Sequence, residues 1–570
     1  MMNDADRGLI KKYYVFIFSI LTLLTFVALF LLRSLDDNRL TSWQWVFAGA
    51  DASKVFLILI PGILSAYIFS KVSFLERYLV ESSLRPAVFL FLFSYLITIF
   101  FWREPEVIVD ASRYFTQAKH LEVYGVGYFF REWGRDIMAW TDMPLIPFLY
   151  GLIFKFFGES RLYIQMFTTF LFSVTVVLTY MIGKALWNED IGLYGGMLLL
   201  GIPYLFTQVP LMLVDVPAMF FLMLAVFSTI RALDRGGWFI GLASVAIFLA
   251  FFSKYSAWLM LSVLAAIFFV YIKNNRATFN RAALVVLISG PLIGIVFLFK
   301  YEVFSEQIRL LMSYQKPGLK RWGESFISTF FFQIHPFITA AALYSAYAAL
   351  RKKDLKYLII IWLVLLTVAL RIKRIRYIIM VFPMLSLMAA YGLAQIGKKE
   401  AVRFISLCIV VFSVVVGLLG YLPLMQKMSA VNLRAAGRFL DSVKGPDVRV
   451  FALLPEEPEV NTAVAVPVLD LFTKKNIIYD YKDIYHQPSE KIKKSSLRFT
   501  WEYKNPEYYA GDKHSKETAA VVIISDDAKD VVPENIKRQL SGHRLSEVFN
   551  ISEGIFRYRT GVRIYQPDGD

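Results

Sequence analysis

About thirteen apolar runs follow one another near residues 10–32, 54–70, 86–102, 162–183, 191–207, 211–230, 238–253, 257–272, 282–299, 326–350, 357–370, 377–396 and 404–424. Each is long enough, or nearly so, to cross a bilayer as a helix, so their succession commits the chain to a polytopic all-α membrane fold. Composition agrees. With 57% hydrophobic and 19% charged residues, a soluble protein of 570 residues would lack the charge to cover its surface. Residues 10–32 are too long, and lack the small-residue cleavage site, for a removable signal peptide; they read as a retained first span. Residues 144–160, PLIPFLYGLIFKFFGES, are short and proline-rich, and are expected to lie along the interface. The pair of runs joined at Gln208-Val209-Pro210 is the least sharply bounded.

The formal charge of +16 sits mostly at the ends of the runs, where Lys and Arg serve topology and lipid head groups rather than nucleic acid. An odd number of spans puts the two ends of the chain on opposite sides. If the N-terminus is cytoplasmic, the inner segments carry roughly twice the Lys and Arg density of the outer ones, which favours that orientation. The turn 371–376, RIKRIR, runs against this bias: it sets four cations on the outer face and calls for compensation. After Tyr421-Leu422-Pro423 the composition becomes that of soluble sequence. Helix-like NLRAAGRFLDSV is followed by strand-like VRVFALLP, NIIYDY, AAVVIIS and GVRIYQ, with VPENIKRQL helical between the last two. Residues 426–570 are therefore expected to form an extracytoplasmic α/β domain. The lone Cys408 lies in an apolar run, which leaves no disulfide framework, thiol metal site or cysteine chemistry. Neither a P-loop nor a GxGxxG fingerprint occurs.

The longest polar interruption is residues 103–143, where Asp110, Asp136 and Asp142 stand among Trp, Tyr and Arg. Two readings fit Asp110. It caps an amphipathic helix that begins at Ala-Ser-Arg-Tyr, or it is a general base that takes a proton from an acceptor hydroxyl. Asp142, two residues before Pro144, is a solvated loop acid alone. Paired with Asp110 it could orient an acceptor or, through oxygen ligands, hold a divalent cation. Asp136, Glu132 and Glu122 carry the plain surface reading. Asp215, in LVDVP, is either a helix cap ahead of Pro217 or a functional acid at membrane depth. Lys254, in FSKY, fits a snorkelling lysine.

Arg371, Lys373, Arg374 and Arg376, followed by Tyr377, form the strongest electrostatic feature. They suit anionic head groups or the acids of the C-terminal domain; more sharply, they suit the phosphate of a polyprenyl-phosphate-linked donor, because guanidinium groups give permanent bidentate contacts to phosphate. Trp133, Trp140, Tyr114, Tyr124 and Tyr128 could stack on sugar faces, or belong to the aromatic interface belt. His120 and His335 have no metal-set spacing.

Taken in order, these motifs resemble the GT-C class of membrane glycosyltransferases, specifically the protein O-mannosyltransferase and aminoarabinose-transferase branch, over about residues 86–396. The resemblance rests on Asp110-Ala111-Ser112-Arg113-Tyr114 with AKHL after it, Asp142-Met143-Pro144, the PLIPFLYGLIFKFFG run, LVDVP at Asp215, FSKY at Lys254 and RYIIMVFPM from Arg376. It implies a GT-C-like transmembrane catalytic domain over 86–425 with its first outer loop at 103–143; the two additional N-terminal transmembrane helices over 1–85 depart from its simplest members. It also implies that Asp110 is the catalytic base and Asp142 an active-site acid, with Arg113, Tyr114, Asp215 and Lys254 beside them and the 371–377 cluster on the donor phosphate. Ala111 departs from the pattern, since many members have Glu there, which bears on any metal held by Asp110 and Asp142.

The expected function is inverting transfer of a sugar from a polyprenyl- or dolichyl-phosphate donor to a hydroxyl or amine of a protein, lipid or glycan acceptor. The expected geometry has the base and the phosphate-binding cations facing each other across the sugar. A transporter of lipid-linked sugars is the alternative from another class; it would place acids or broken helices at the bilayer midplane. A noncatalytic assembly subunit, binding through the α/β domain, is the third.

Overall fold

The computed structural model describes residues 4–48, 51–71, 84–272, 276–316, 323–454, 460–479, 497–510, 518–527, 529–551 and 558–568. Its helices are α1 (Asp4–Leu31), α2 (Ala52–Lys71), α3 (Arg85–Ile99), α4 (Ile108–Glu132), α5 (Leu145–Phe157), α6 (Arg161–Leu186) and α7 (Glu189–Leu199). There follow α8 (Asp215–Arg235), α9 (Trp238–Ser253), α10 (Tyr255–Met260), α11 (Val263–Ile272), α12 (Arg276–Phe299) and α13 (Tyr301–Leu310). The last of the bundle are α14 (Pro336–Lys352), α15 (Tyr357–Ala369), α16 (Phe382–Ala394) and α17 (Lys399–Val416). Among the described residues eight helical stretches are long and apolar enough to span a membrane, and α3, α5, α9 and α15 are shorter apolar helices. The chain is an integral membrane protein.

Burial sorts these helices. The stretch through α16 and α8 is 89% and 83% buried, whereas α12, α1 and α2 are 17–22% buried and turn apolar side chains outward. Outward apolar faces are what lipid requires. The centre is packed closely enough that a Cβ on Gly183 of α6 would meet Gly192 Cα of α7 at 2.7 Å. Small residues at such crossings let two backbones approach without lost side-chain contacts.

Several apolar runs are broken, and the breaks share a location. The run 191–207 gives α7 and a separate turn at Pro203–Phe206, and α8 starts only at Asp215. The run 326–350 divides at His335-Pro336 into a π-helical turn, Ser328–Ile334, and α14. Lys254 is extended between α9 and α10, and a 3-10 turn, Ile375–Val381, precedes α16. All these interruptions lie at the end of the bundle that meets loop 103–143. Non-helical backbone at that depth is tolerated where it is covered by protein or lines a cavity.

The C-terminal segment packs α18 (Ala430–Ser442) and α19 (Ala465–Asp470) on a five-stranded sheet. Its strands are β1 (Asp447–Ala452), β2 (Asn476–Ile478), β3 (Ala520–Ser525), β4 (His543–Phe549) and β5 (Gly561–Pro567), in the order β2-β1-β3-β5-β4. β1 pairs parallel with β2 and β3, and β5 runs antiparallel to β3 and β4. A short helix α20 (Glu534–Gln539) precedes β4. The sequence reading found every strand except β4. HRLSEVF is largely exposed and charged, as befits an edge strand, so its signal is weak. Ile108 and Ala111 of α4 sit inside this domain's core with Leu433, Val464 and Val468. The side chain of Ala111 is fully buried there. A Glu in its place would bury a carboxylate against apolar neighbours.

Candidate active site

α4 starts at Ile108, with Val107 as its cap, and Asp110 lies in its first turn. The cap reading of Asp110 does not hold: no side chain caps this helix, and the Asp110 carboxylate turns to Arg376 and Arg113. Asp215 likewise opens α8 without capping it. Its carboxylate meets Arg376 at 3.1 Å and also pairs with Lys254. Lys254 therefore does not snorkel; its ammonium is turned inward to an acid that is 1% exposed.

A continuous network results. Arg376 joins Asp110 to Asp215, and Lys254 closes the Asp215 end. Arg113 reaches Asp110 at 3.5 Å and Asp142 at 2.6 Å, and donates to the Tyr114 hydroxyl at 3.1 Å. Gln117 donates to the Asp142 carboxylate at 3.3 Å, and Gln307 donates to its backbone carbonyl at 2.8 Å. Five segments far apart in sequence thus converge on three acids.

The cationic turn is divided by the fold. Arg376 enters the acid network. Arg374 faces Glu324 at 3.7 Å and donates to the Tyr377 hydroxyl at 3.2 Å. Arg371 and Lys373 stay exposed. Arg371 is the residue after the α15 cap and has φ of 54°, a left-handed conformation usually left to glycine at helix ends. One expectation needs correction here. The expected geometry sets the phosphate-binding cations across the sugar from Asp110, yet Arg376 forms an ion pair with it. Two acids sequestered from water recruit the nearest guanidinium, since an unpaired buried charge is costly.

Burial alone would raise the Asp110 pKa, but Arg376 and Arg113 outweigh it and hold the carboxyl at about 2. At Asp142 burial wins over Arg113, and its pKa is raised. Burial likewise lifts Glu324 to about 7 despite Arg374. Asp110 is thus held ionised. The two acids proposed for a divalent ion share the Arg113 guanidinium instead, and no group of three metal-ligating side chains stands together among the described residues. This donor set does not fit a cation.

Other residues separate from this centre. Trp133 is buried beside Phe129, with ring centroids 5.2 Å apart, and faces no open space. Asp136 is exposed and accepts from Tyr128 at 3.4 Å. Tyr124, Tyr128 and Trp140 line a cavity of about 240 Å³ between α4 and the C-terminal domain, and so does His120, which had no assigned role. Sequence reasoning missed Glu324, Gln117, Gln307 and Phe499. Only the helical spacing that puts Gln117 on one face with Asp110, Arg113 and His120 signalled any of them.

Residues 142–299 match the family model described as dolichyl-phosphate-mannose-protein mannosyltransferase. No curated protein matches the chain in sequence. Among solved structures, ArnT from Cupriavidus metallidurans bound to undecaprenyl phosphate superposes with a TM-score of 0.50 at 12% identity, covering 84% of this chain and 97% of that one. An Archaeoglobus fulgidus oligosaccharyltransferase, in complex with zinc and sulfate, gives 0.46 at 13% identity, over 77% of this chain and 68% of that one. The stretch 142–299 is thus similar to that family model, and the chain has an ArnT-like fold, as its motif order implied.

Proposed function

We propose that the protein transfers a sugar from a polyprenyl-phosphate-linked donor to an acceptor hydroxyl or amine, with inversion, on the extracytoplasmic face. The chain would cross the membrane thirteen times, N-terminus inside and C-terminal domain outside. Asp110 takes the acceptor proton, the acceptor heteroatom bonds to the anomeric carbon, and the bond from that carbon to the phosphate oxygen breaks. Its electron pair leaves with the lipid phosphate, whose charge the 371–377 turn receives. Stabilising that departing charge is the main electrostatic demand of the step. The single observation that carries this reading is that Arg376 joins the loop acid Asp110 to the helix acid Asp215.

That contact also gives the step an order. A phosphate arriving at exposed Arg371 and Lys373 competes for Arg376. As Arg376 turns to the phosphate, Asp110 loses the largest charge that keeps its pKa at about 2 and becomes a stronger base. Arg113 and Gln117 keep Asp142 in place to orient the acceptor. The undecaprenyl phosphate bound by ArnT supports a lipid phosphate as the donor's carrier. The acids gather at one end of the bundle, which favours an enzyme over a transporter with midplane sites.

The test is transfer from a labelled undecaprenyl-phosphate sugar. Asp110→Asn should lower it by about 10²- to 10⁴-fold with normal membrane insertion; undiminished transfer removes Asp110 from the mechanism. Arg376→Ala should raise the donor KM, and an unchanged KM across the whole turn would reduce it to a head-group patch.

A further inference from the structure

The cavity between α4 and the C-terminal domain is distinct from the acid network but shares two walls with it. Arg113 and Gln117 line the cavity and also hold Asp142. The opposite wall is the segment 499–507. Its aromatic faces come from both sides. Tyr124 and Tyr128 stand 4.6 Å apart on α4, and the Trp140 ring meets Phe499 edge to face at 5.7 Å. Trp140 is held with φ of 50°, strained for a bulky residue. Such outliers persist where the surroundings over-determine them, and they cluster at ligand sites.

The cavity walls carry polar groups of both kinds, donors on Arg113 and Lys504 and acceptors on Asp136 and Glu507. Gln117, 2% exposed, and Asn505 both line it, and the amide oxygen of each lacks a donor among the described residues. Buried acceptors are nearly always paired in folded proteins. The missing partners are therefore hydrogen-bond donors. Flat rings beside unsatisfied amide acceptors suit a sugar ring: its C–H face packs on an aromatic plane while its hydroxyls donate at the rim. A sugar hydroxyl both donates and accepts, so one ring can meet these amide oxygens together with the Arg113 and Lys504 donors on the same walls.

We propose that this cavity is the acceptor site and that it takes a sugar ring, so that the acceptor is a glycan and the C-terminal domain helps select it. This rests on the transferase reading above, and Arg113 is the side chain that links the bound ring to Asp110 and Asp142.

Saturation-transfer NMR on the purified full chain tests it, with methyl glycosides of glucose, galactose, mannose and N-acetylglucosamine as probes and a Ser/Thr hexapeptide as comparison. At least one glycoside should saturate on the wild-type protein and the hexapeptide should not. The signal should fall about five-fold in Tyr128→Ala, and also in the milder Phe499→Leu, through loss of an aromatic platform. Saturation of the peptide alone, of no probe, or equally in wild type and both variants overturns the proposal. Undecaprenyl phosphate binding, measured on the same preparation, separates the two readings. Lipid phosphate bound without any glycoside sinks the glycan site alone, whereas a glycoside bound without lipid phosphate sinks the donor assignment and leaves a sugar site.

Discussion

Both ends of the helical bundle are laced with ion pairs, and they could hardly be used more differently. At the end away from loop 103–143, Lys71 pairs with Glu400 and Lys399 with Asp190, and these four side chains are 43–64% exposed. At the loop end, Asp215, Arg376 and Asp110 are 1%, 13% and 20% exposed and share partners. Exposed pairs are screened and worth little. Withdrawn pairs are weak as net stabilisers yet expensive to break, since the survivor has no water to turn to. Charge at the first end suits topology and solubility. At the second it is kept from solvent at a cost that folding alone does not require, which marks that end for chemistry.

Breaking one partner at each end tests the contrast. Asp215→Ala takes its acid from Lys254 and leaves Arg376 only Asp110, and should cost about 3–5 kcal/mol of stability, read as a lowered unfolding midpoint in detergent. Next comes Glu324. Its folded pKa, about 7, lies above the unfolded value, so the folded state carries an extra proton between them. Stability should therefore fall as pH rises from about 4.5 to 7, by on the order of 3 kcal/mol, and Glu324→Gln should flatten that slope. Asp110 has the opposite sign. Its folded pKa of about 2 lies below the unfolded value, so its contribution is full above about pH 4 and fades as pH falls through 2. The wild type should exceed Asp110→Asn there by about 2 kcal/mol, a gap that closes in acid. Smallest is Glu400→Gln, expected to move stability by less than about 1 kcal/mol and only at low salt. Equal costs for Asp215→Ala and Glu400→Gln would dissolve the distinction between the ends.

Much of this was legible in the sequence because periodicity and motif order survive without coordinates. The apolar runs located the helices, and LVDVP, FSKY and RIKRIR located the residues that meet around Asp110. What stayed hidden was pairing. Nothing local says that Lys254 faces Asp215, since the two are 39 positions and two helices apart. Nor does any pattern show that Arg374 would be taken by Glu324 while Arg376 went to the loop acids. Helix breaks were blurred for a similar reason: hydropathy counts apolar residues whether or not the backbone stays helical, so the divided run at His335-Pro336 reads as one span. The wall supplied by Phe499 belongs to tertiary docking and left no mark on its own segment.

The pairing of Asp110 with Arg376 spans 266 residues of chain. During synthesis the acid emerges first, and at ribosomal rates it waits roughly tens of seconds for its guanidinium. Lys119, on the same helix, waits longer still for Asp470. The nascent protein therefore carries an incomplete acid network until Arg376 has emerged, and α4 keeps a lysine short of its Asp470 partner until the C-terminal segment docks.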